Sequence, residues 1–219
     1  MSPVRVAAIA DVHSPRLLPE FKEALSRCTK PELFLFAGDM VNRGAAGEYL
    51  NVLDAVDSTF GSDIPIVACF GNEDPYGIHH DLHKEVKDRV TFLNDESISF
   101  KFTDKQIGIV GMSTVTPESR DIAGMKEVFD ERVSRLEQLL QITSEETDYL
   151  VLLMHFSPLQ ENTKNEYSWW VSNALDSVHP NLIIHGHIHD ATSKKVEKGA
   201  TTILNVALPF TGSITELTL

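Results

Sequence analysis

The stretch VRVAAIADVH, residues 4–13, joins an apolar run to two polar side chains, Asp11 and His13. The apolar run, residues 4–10, predicts a buried first strand. The same half of the chain then alternates between helices, predicted at residues 19–28 and 45–57, and strands, predicted at residues 33–36 and 65–70. Such alternation is typical of a parallel sheet that is covered by helices on both faces.

The second half of the chain adds antiparallel pieces. The segments SISFKF and IGIVG flank the polar TDKQ and predict a hairpin. The predicted elements after it are a helix over residues 126–141, a strand over 149–154, a helix over 168–178 and a strand over 181–184. Residues 194–219 predict an antiparallel meander that turns at Gly199 and around Pro209–Gly212. We therefore predict a mixed α/β sandwich in a single domain, residues 1–219.

Composition disfavours several classes of function. The chain has 219 residues, 42% of them hydrophobic, and a formal net charge of −13. That charge disfavours a long nucleic acid as partner, because such partners are held by a surplus of Lys and Arg. No apolar run approaches the ~20 residues of a membrane helix, and the N-terminus lacks the features of a signal peptide, so we expect a cytoplasmic protein without a membrane partner. Cys28 and Cys69 are expected to be reduced thiols.

Polar residues follow five of the predicted strands at the point where each strand ends. They are Asp11 and His13, then Gly38-Asp39, Gly71-Asn72, His155 and Gly186-His187-Ile188-His189. Sites in open α/β sheets lie beyond the carboxyl ends of the strands, so these side chains are expected to meet at one edge of the fold. Any one of them alone would be weak evidence, since a strand-end Asp is usually a cap or turn former and a lone His is usually not a ligand. Together they indicate a site.

This pattern resembles that of the calcineurin-like metallophosphoesterase superfamily. The resemblance spans residues 11–189 and implies two packed mixed β-sheets flanked by helices. It also implies two divalent metal ions bridged by Asp39. Carried over to this chain, the first ion would be held by Asp11, His13, Asp39 and His189, and the second by Asp39, Asn72, His155 and His187. The glycines at 38, 71 and 186 would allow close approach of the backbone.

Oxygen ligands mixed with imidazoles favour Mn²⁺, with Fe, Zn²⁺ or Ni²⁺ as alternatives. Two such ions and two aspartates leave a local charge of about +2, which attracts phosphate despite the acidic chain. The expected reaction is in-line attack on phosphorus by a hydroxide that bridges the ions.

One residue departs from the superfamily pattern. Many members carry a histidine directly after Gly-Asn, and here that position is Glu73. We expect the usual general acid to be missing and esters with good leaving groups to be favoured. His79 or His80 could supply an imidazole instead, although capping or decoration of the next helix is the simpler interpretation.

Substrate-side residues are less well defined. The segment GDMVNRG, residues 38–44, resembles that of the phosphoprotein phosphatases, and its Arg43 either clamps a phosphate oxygen or pairs with a surface carboxylate. The candidate catalytic residues are thus Asp39, Asn72, Arg43 and Glu73. Trp169 is a candidate stacking surface and Trp170 is expected in ordinary packing. His185 is expected to be buried or to support the ligands, and Asp190 to lie in a turn.

The function predicted from the sequence is hydrolysis of a small phosphoester or nucleotide, with a phosphodiester as the expected substrate. The alternatives are a phosphomonoesterase or protein phosphatase, a nuclease, which the acidic chain disfavours, and a metal-binding scaffold without activity, which Glu73 alone favours. Homo-oligomerisation stays open.

Overall fold

The computed structural model describes residues 3–113, 122–159, 174–175 and 178–219; for residues 122–129 it describes the backbone only. The predicted helix over 168–178 and both tryptophans therefore lie almost entirely outside the described residues. The strands are β1 (Arg5–Ile9), β2 (Leu33–Ala37), β3 (Ile66–Cys69), β4 (Thr91–Phe92), β5 (Glu96–Lys101), β6 (Gln106–Met112), β7 (Tyr149–Met154), β8 (Leu182–His185), β9 (Lys195–Lys198), β10 (Thr201–Asn205) and β11 (Thr215–Thr218). The α-helices are α1 (Leu18–Arg27), α2 (Glu48–Phe60), α3 (His79–Val86), α4 (Ile122–Glu146) and α5 (Leu208–Thr211).

Two mixed sheets form the centre of the fold, as predicted. The first has the strand order β11-β1-β2-β3-β4, and the second has the order β5-β6-β7-β8-β10-β9. Strands β1 to β4 run parallel, as do β6, β7, β8 and β10, while β11, β5 and β9 pair antiparallel at the sheet edges. The hairpin predicted in the middle of the chain is β5 with β6.

Among the described residues, three apolar clusters hold the layers together. One packs α1, α2 and α3 against the outer face of the first sheet, through residues such as Phe21, Val52 and Phe36. The second lies between the sheets and contains Ala8, Leu35 and Val151. The third packs Leu136 and Leu140 of α4 against the second sheet. Alternate residues of each buried strand thus face different clusters, because successive side chains point to opposite faces.

The predicted C-terminal meander is wrong in its topology. The turn at Gly199 does join the antiparallel pair β9 and β10, but β10 pairs in parallel with β8. The segment around Pro209–Gly212 is the short helix α5, and it carries the chain to the first sheet, where β11 pairs antiparallel with β1. Local pattern could not reveal this, because the choice of partner strand depends on tertiary packing.

The boundaries of several helices also differ from the prediction. Helix α1 is shifted by one residue, and helix α2 spans Glu48–Phe60 rather than 45–57, because residues 45–47 form a turn before it. Helix α4 extends beyond 126–141 at both ends. None of the described helices has the length and apolar character needed to cross a bilayer.

Candidate metal centre

The structure brings the predicted ligands together from both sheets. Asp11 and His13 follow β1, Asp39 follows β2 and Asn72 follows β3, all in the first sheet; His155 follows β7, and His187 and His189 follow β8, in the second. Carboxyl ends of parallel strands meet at one edge of a sheet. The centre therefore spans the edge where the two packed sheets face each other.

A first group of ligand atoms belongs to Asp11, His13 and His189. These atoms lie within 4.8 Å of one another. Asp11 Oδ1 is 3.1 Å from His189 Nε2 and 3.5 Å from His13 Nε2. Both ring nitrogens of His13 are buried and have no hydrogen-bond partner among the described residues. A buried imidazole without partners is costly unless something else binds it, and a metal ion meets that need.

A second group centres on His155, which is fully buried. Its Nδ1 lies 2.9 Å from the carbonyl oxygen of Ala37. Because a carbonyl oxygen only accepts, Nδ1 carries a proton and donates a hydrogen bond to that oxygen. The other nitrogen, Nε2, lies 3.0 Å from Asn72 Oδ1 and 3.2 Å from Asp39 Oδ2. Ligand atoms of Asp11, Asp39 and His155 also lie within 4.8 Å of one another. Asp11 belongs to both groups, and the bridging role expected of Asp39 stays a prediction.

His187 links the two groups. Its backbone amide donates to Asp11 Oδ2 at 2.9 Å, and its ring lies edge-on to that of His155 with 5.2 Å between the centroids. Burial, together with the positive charge of His155, lowers the pKa of the His187 imidazole to about 4. A neutral imidazole with a free lone pair is the form that binds metal.

The pKa values at the centre indicate that its buried carboxylates are stabilised by positive charge nearby. Burial alone would raise the pKa of Asp11, but the imidazoles of His13, His155 and His189 and the amide of His187 hold it well below its usual value. Burial alone would lower the pKa of His155, but the carboxylates of Asp39 and Asp11 raise it to about 9. In the metal-free protein, His155 therefore carries the positive charge that the buried carboxylates require.

The backbone at the centre is strained. Seven non-glycine residues of the described chain have a positive φ, and five of them are Asp11, His13, Asp39, Arg43 and His187. The left-handed region costs such a residue roughly 1–2 kcal/mol. Strain of this kind is kept where surrounding structure imposes it, commonly at functional sites.

Two glycines make room for the carboxylates. A Cβ atom on Gly71 would overlap Asp39 Oδ1, and one on Gly186 would overlap Asp11 Oδ2. The close approach of backbone predicted at these positions is therefore present, and it is directed at the predicted metal ligands.

Sequence reasoning missed two supporting residues. Asp74 is buried, and its Oδ2 accepts hydrogen bonds from the amides of Gly71 and Asp39, at 2.9 and 3.3 Å. Burial and the charge of Asp39 raise the pKa of Asp74 to about 6. Asn205 donates to the carbonyl of Ile188 at 2.7 Å and thereby holds the loop of His187 and His189. A signal existed for Asn205, since it too ends an apolar strand.

The remaining candidates lie around this centre. Glu73 Oε2 accepts a hydrogen bond from the Arg43 amide at 2.8 Å, and the Arg43 side chain is exposed. His79 bonds the Asp74 carbonyl at 2.9 Å and stacks on Phe70, while His80 is exposed on α3. His185 is buried and Asp190 lies in a turn, as expected.

A family model described as calcineurin-like phosphoesterase matches residues 4–191. The chain belongs to this family. Membership makes it a metal-dependent phosphoester hydrolase, and the Asp and His groups described above are able to hold the divalent metal that the family binds. No curated protein matches the chain significantly.

Solved structures share the phosphoesterase fold at low sequence identity. TT1561 of Thermus thermophilus is 13% identical, with 99% of each chain covered and a TM-score of 0.63. GAP50, the anchor in the inner membrane complex of Plasmodium, is 12% identical, with 95% of this chain and 73% of that chain covered and a TM-score of 0.61. A phosphatase from Mycoplasma pneumoniae is 15% identical, with 94% and 73% covered and a TM-score of 0.56. At these identities the likeness shows the fold alone.

The residues present fit the metal that the phosphoesterase family implies. The donor set mixes nitrogen and oxygen. The nitrogens of His13 have no hydrogen-bond partner among the described residues, the carboxylates of Asp11 and Asp39 are buried, and His155 Nε2 lies close to Asp39. Such a set suits a divalent ion of the first transition row.

Proposed function

We propose that this protein hydrolyses small phosphodiesters, including those of nucleotides, with two divalent ions, Mn²⁺ by preference. The ions would be held by Asp11, His13, Asp39, Asn72, His155, His187 and His189. The observation that carries the proposal is that five of these side chains group their ligand atoms in two sets, each within 4.8 Å, with Asn72 and His187 in contact with His155 and two carboxylates buried among the imidazoles.

The chain's own contribution is to fix the donor atoms before substrate arrives. When bound, the ions would supply an activated water and positive charge at the phosphoryl oxygens. The Ala37 carbonyl orients His155, the His187 amide orients Asp11, and Asp74 holds the amides of Gly71 and Asp39. Supports of this kind commonly change metal affinity or activity by about 10–100-fold when removed.

Charge supports a diester over a monoester. A monoester near neutral pH carries close to two negative charges, whereas a diester carries one. The carboxylate of Glu73 directly follows the predicted ligand Asn72. Repulsion by this carboxylate acts more strongly on the monoester and offsets part of the attraction that the bound ions would exert on it. With Glu73 where many relatives have an imidazole, esters whose leaving group departs without that proton donor should react fastest.

A phosphomonoesterase is the second candidate, and one observation favours it. The guanidinium of Arg43 is exposed and forms no hydrogen bond or ion pair with the described part of the chain, so the predicted pairing with a surface carboxylate is not seen there. A free guanidinium suits the additional non-bridging oxygen of a terminal phosphate.

The test is turnover of bis-p-nitrophenyl phosphate beside p-nitrophenyl phosphate by the Mn²⁺-loaded protein. Asp39→Ala should abolish turnover, and Asp63→Ala is the matched control, because Asp63 lies on the surface, where it pairs with Lys30. Faster diester turnover supports the proposal. Faster monoester turnover moves the assignment to a phosphomonoesterase, and no turnover of either ester with both ions bound contradicts the proposal.

A further inference from the structure

Glu73, in the loop that follows β3, contacts the loop that follows β2 at two points. Its backbone amide donates to Asp39 Oδ1 at 2.8 Å, and its side-chain Oε2 accepts from the Arg43 amide at 2.8 Å. The carboxylate therefore acts as an acceptor for the loop that follows β2. One residue connects the predicted ligand Asp39 with the segment that presents Arg43.

The backbone at Arg43 has an unfavourable conformation, which a contact such as this hydrogen bond stabilises. Arg43 has a φ of 48°, a left-handed conformation that is unfavourable for a residue with a Cβ. The next residue, Gly44, lies against the loop that follows Asn72: a Cβ there would be 3.1 Å from Ile78 Cδ1 and 3.6 Å from Pro75 Cδ. The backbone of Arg43 is thus held against this loop, while its guanidinium is exposed and unpaired among the described residues.

We infer that Glu73 is a positioning residue: its carboxylate holds the Arg43 backbone so that the guanidinium binds an oxygen of the phosphoester. This inference rests on the proposed function. It gives Glu73 a role different from that of the histidine at this position in many relatives. Glu73 Oε2 accepts a hydrogen bond from the Arg43 amide, whereas a general acid donates a proton. The Arg43 guanidinium then supplies a positive charge and N–H groups that donate hydrogen bonds to phosphate oxygens.

The rival assignment makes Glu73 the proton donor to the leaving group. Glu73→Gln separates the two roles, since an amide oxygen still accepts a hydrogen bond from the Arg43 amide but the side chain has no acidic proton. Glu73→Ala removes both abilities. A positioning role therefore predicts that Gln rescues what Ala loses, and a proton donor predicts that both variants fail.

The experiment measures kcat and KM for bis-p-nitrophenyl phosphate with Mn²⁺-loaded wild type, Glu73→Gln, Glu73→Ala, Arg43→Ala and the double variant. We expect Glu73→Ala and Arg43→Ala each to raise KM about tenfold, the effect of losing one good hydrogen bond, with a smaller change in kcat. The double variant should be no worse than Arg43→Ala alone, because Glu73 acts through Arg43. Glu73→Gln should stay close to wild type.

A matched control is available at another sheet edge. Glu32 Oε2 accepts a hydrogen bond from the Arg5 amide at 3.0 Å, the same type of contact outside the predicted metal ligands. Glu32→Ala should leave KM unchanged. An equal rise of KM in Glu32→Ala, additive effects of Glu73→Ala and Arg43→Ala, or failure of Glu73→Gln to rescue would each overturn the inference.

Two further measurements do not depend on turnover. Hydrogen exchange of the Arg43 amide, followed by NMR, should accelerate about tenfold or more in Glu73→Ala but not in Glu73→Gln. The affinity of the Mn²⁺-loaded protein for inorganic phosphate should fall to the same extent in Glu73→Ala and Arg43→Ala. If wild type turns over neither ester, the proposed function fails by itself, and phosphate affinity still tests Glu73. Unchanged phosphate affinity in Glu73→Ala would overturn the inference.

Discussion

The Ala37 carbonyl oxygen lies 2.9 Å from His155 Nδ1 and thereby determines which nitrogen of that ring faces Asp39 and Asn72. Ala37 is the last residue of β2 in the first sheet, and His155 follows β7 in the second. The tautomer of a predicted ligand is thus set by the packing of one sheet on the other.

Replacement of His155 tests its assignment to the second ion. His155→Asn should lower the metal content of the protein by one ion per chain and reduce kcat about 100-fold or more, since a ligand matters at least as much as its supports. Metal analysis after gel filtration and diester turnover are the measurements. His80→Ala, an exposed histidine of α3, is the control. Full metal content in His155→Asn would contradict the assignment.

Gly71 is expected to accept no side chain. Gly71→Ala should lower the unfolding free energy by about 1–3 kcal/mol and weaken metal binding, because the new methyl group overlaps Asp39 Oδ1. Gly77→Ala in the same loop has open space around the added Cβ and should change neither quantity. Thermal melts with and without Mn²⁺ measure both effects. Equal melts for the two variants would show that Asp39 can shift without cost.

The stability of the metal-free protein should fall as pH rises above neutrality. The pKa of His155 is raised from 6.5 to about 9 in the folded state, so its proton stabilises the fold fully below pH 6.5. That contribution, at most about 3 kcal/mol, is lost as pH rises through 9. Urea unfolding in the presence of a chelator, between pH 6 and 9.5, measures it. His155→Asn should flatten the curve, and an equally steep curve in that variant would assign the effect to another group.

His79 is expected to be structural. Its ring stacks on Phe70 with 3.6 Å between centroids, and its Nε2 donates to the Asp74 carbonyl. His79→Ala should therefore lower the unfolding free energy by about 1–3 kcal/mol, and His80→Ala by less than about 0.5 kcal/mol. Turnover per folded molecule should stay unchanged in both variants. A large loss of kcat in the folded double variant would instead support replacement of the missing general acid by these histidines.

The sequence predicted much of the centre because strand ends are visible in it. Asp11, Asp39, Asn72, His155 and His187 each follow an apolar run, and parallel strands bring such ends together. The supporting contacts had no comparable signal. The Ala37 carbonyl has no side-chain signature, and the hydrogen bonds of Asp74 and Glu73 depend on how two loops lie in space. The partner of β11 was missed for the same reason.

The pairing of β11 with β1 has a consequence for fragments of this protein. A fragment that ends at residue 191 would keep all seven predicted ligands and the whole region matched by the family model. It would also lack the ladder that joins Thr215–Thr218 to β1, and the strand that leads to Asp11 would become an exposed edge. Exposed edge strands invite pairing with other chains. Expression of such a fragment should therefore yield aggregates, although every residue proposed to bind metal is present.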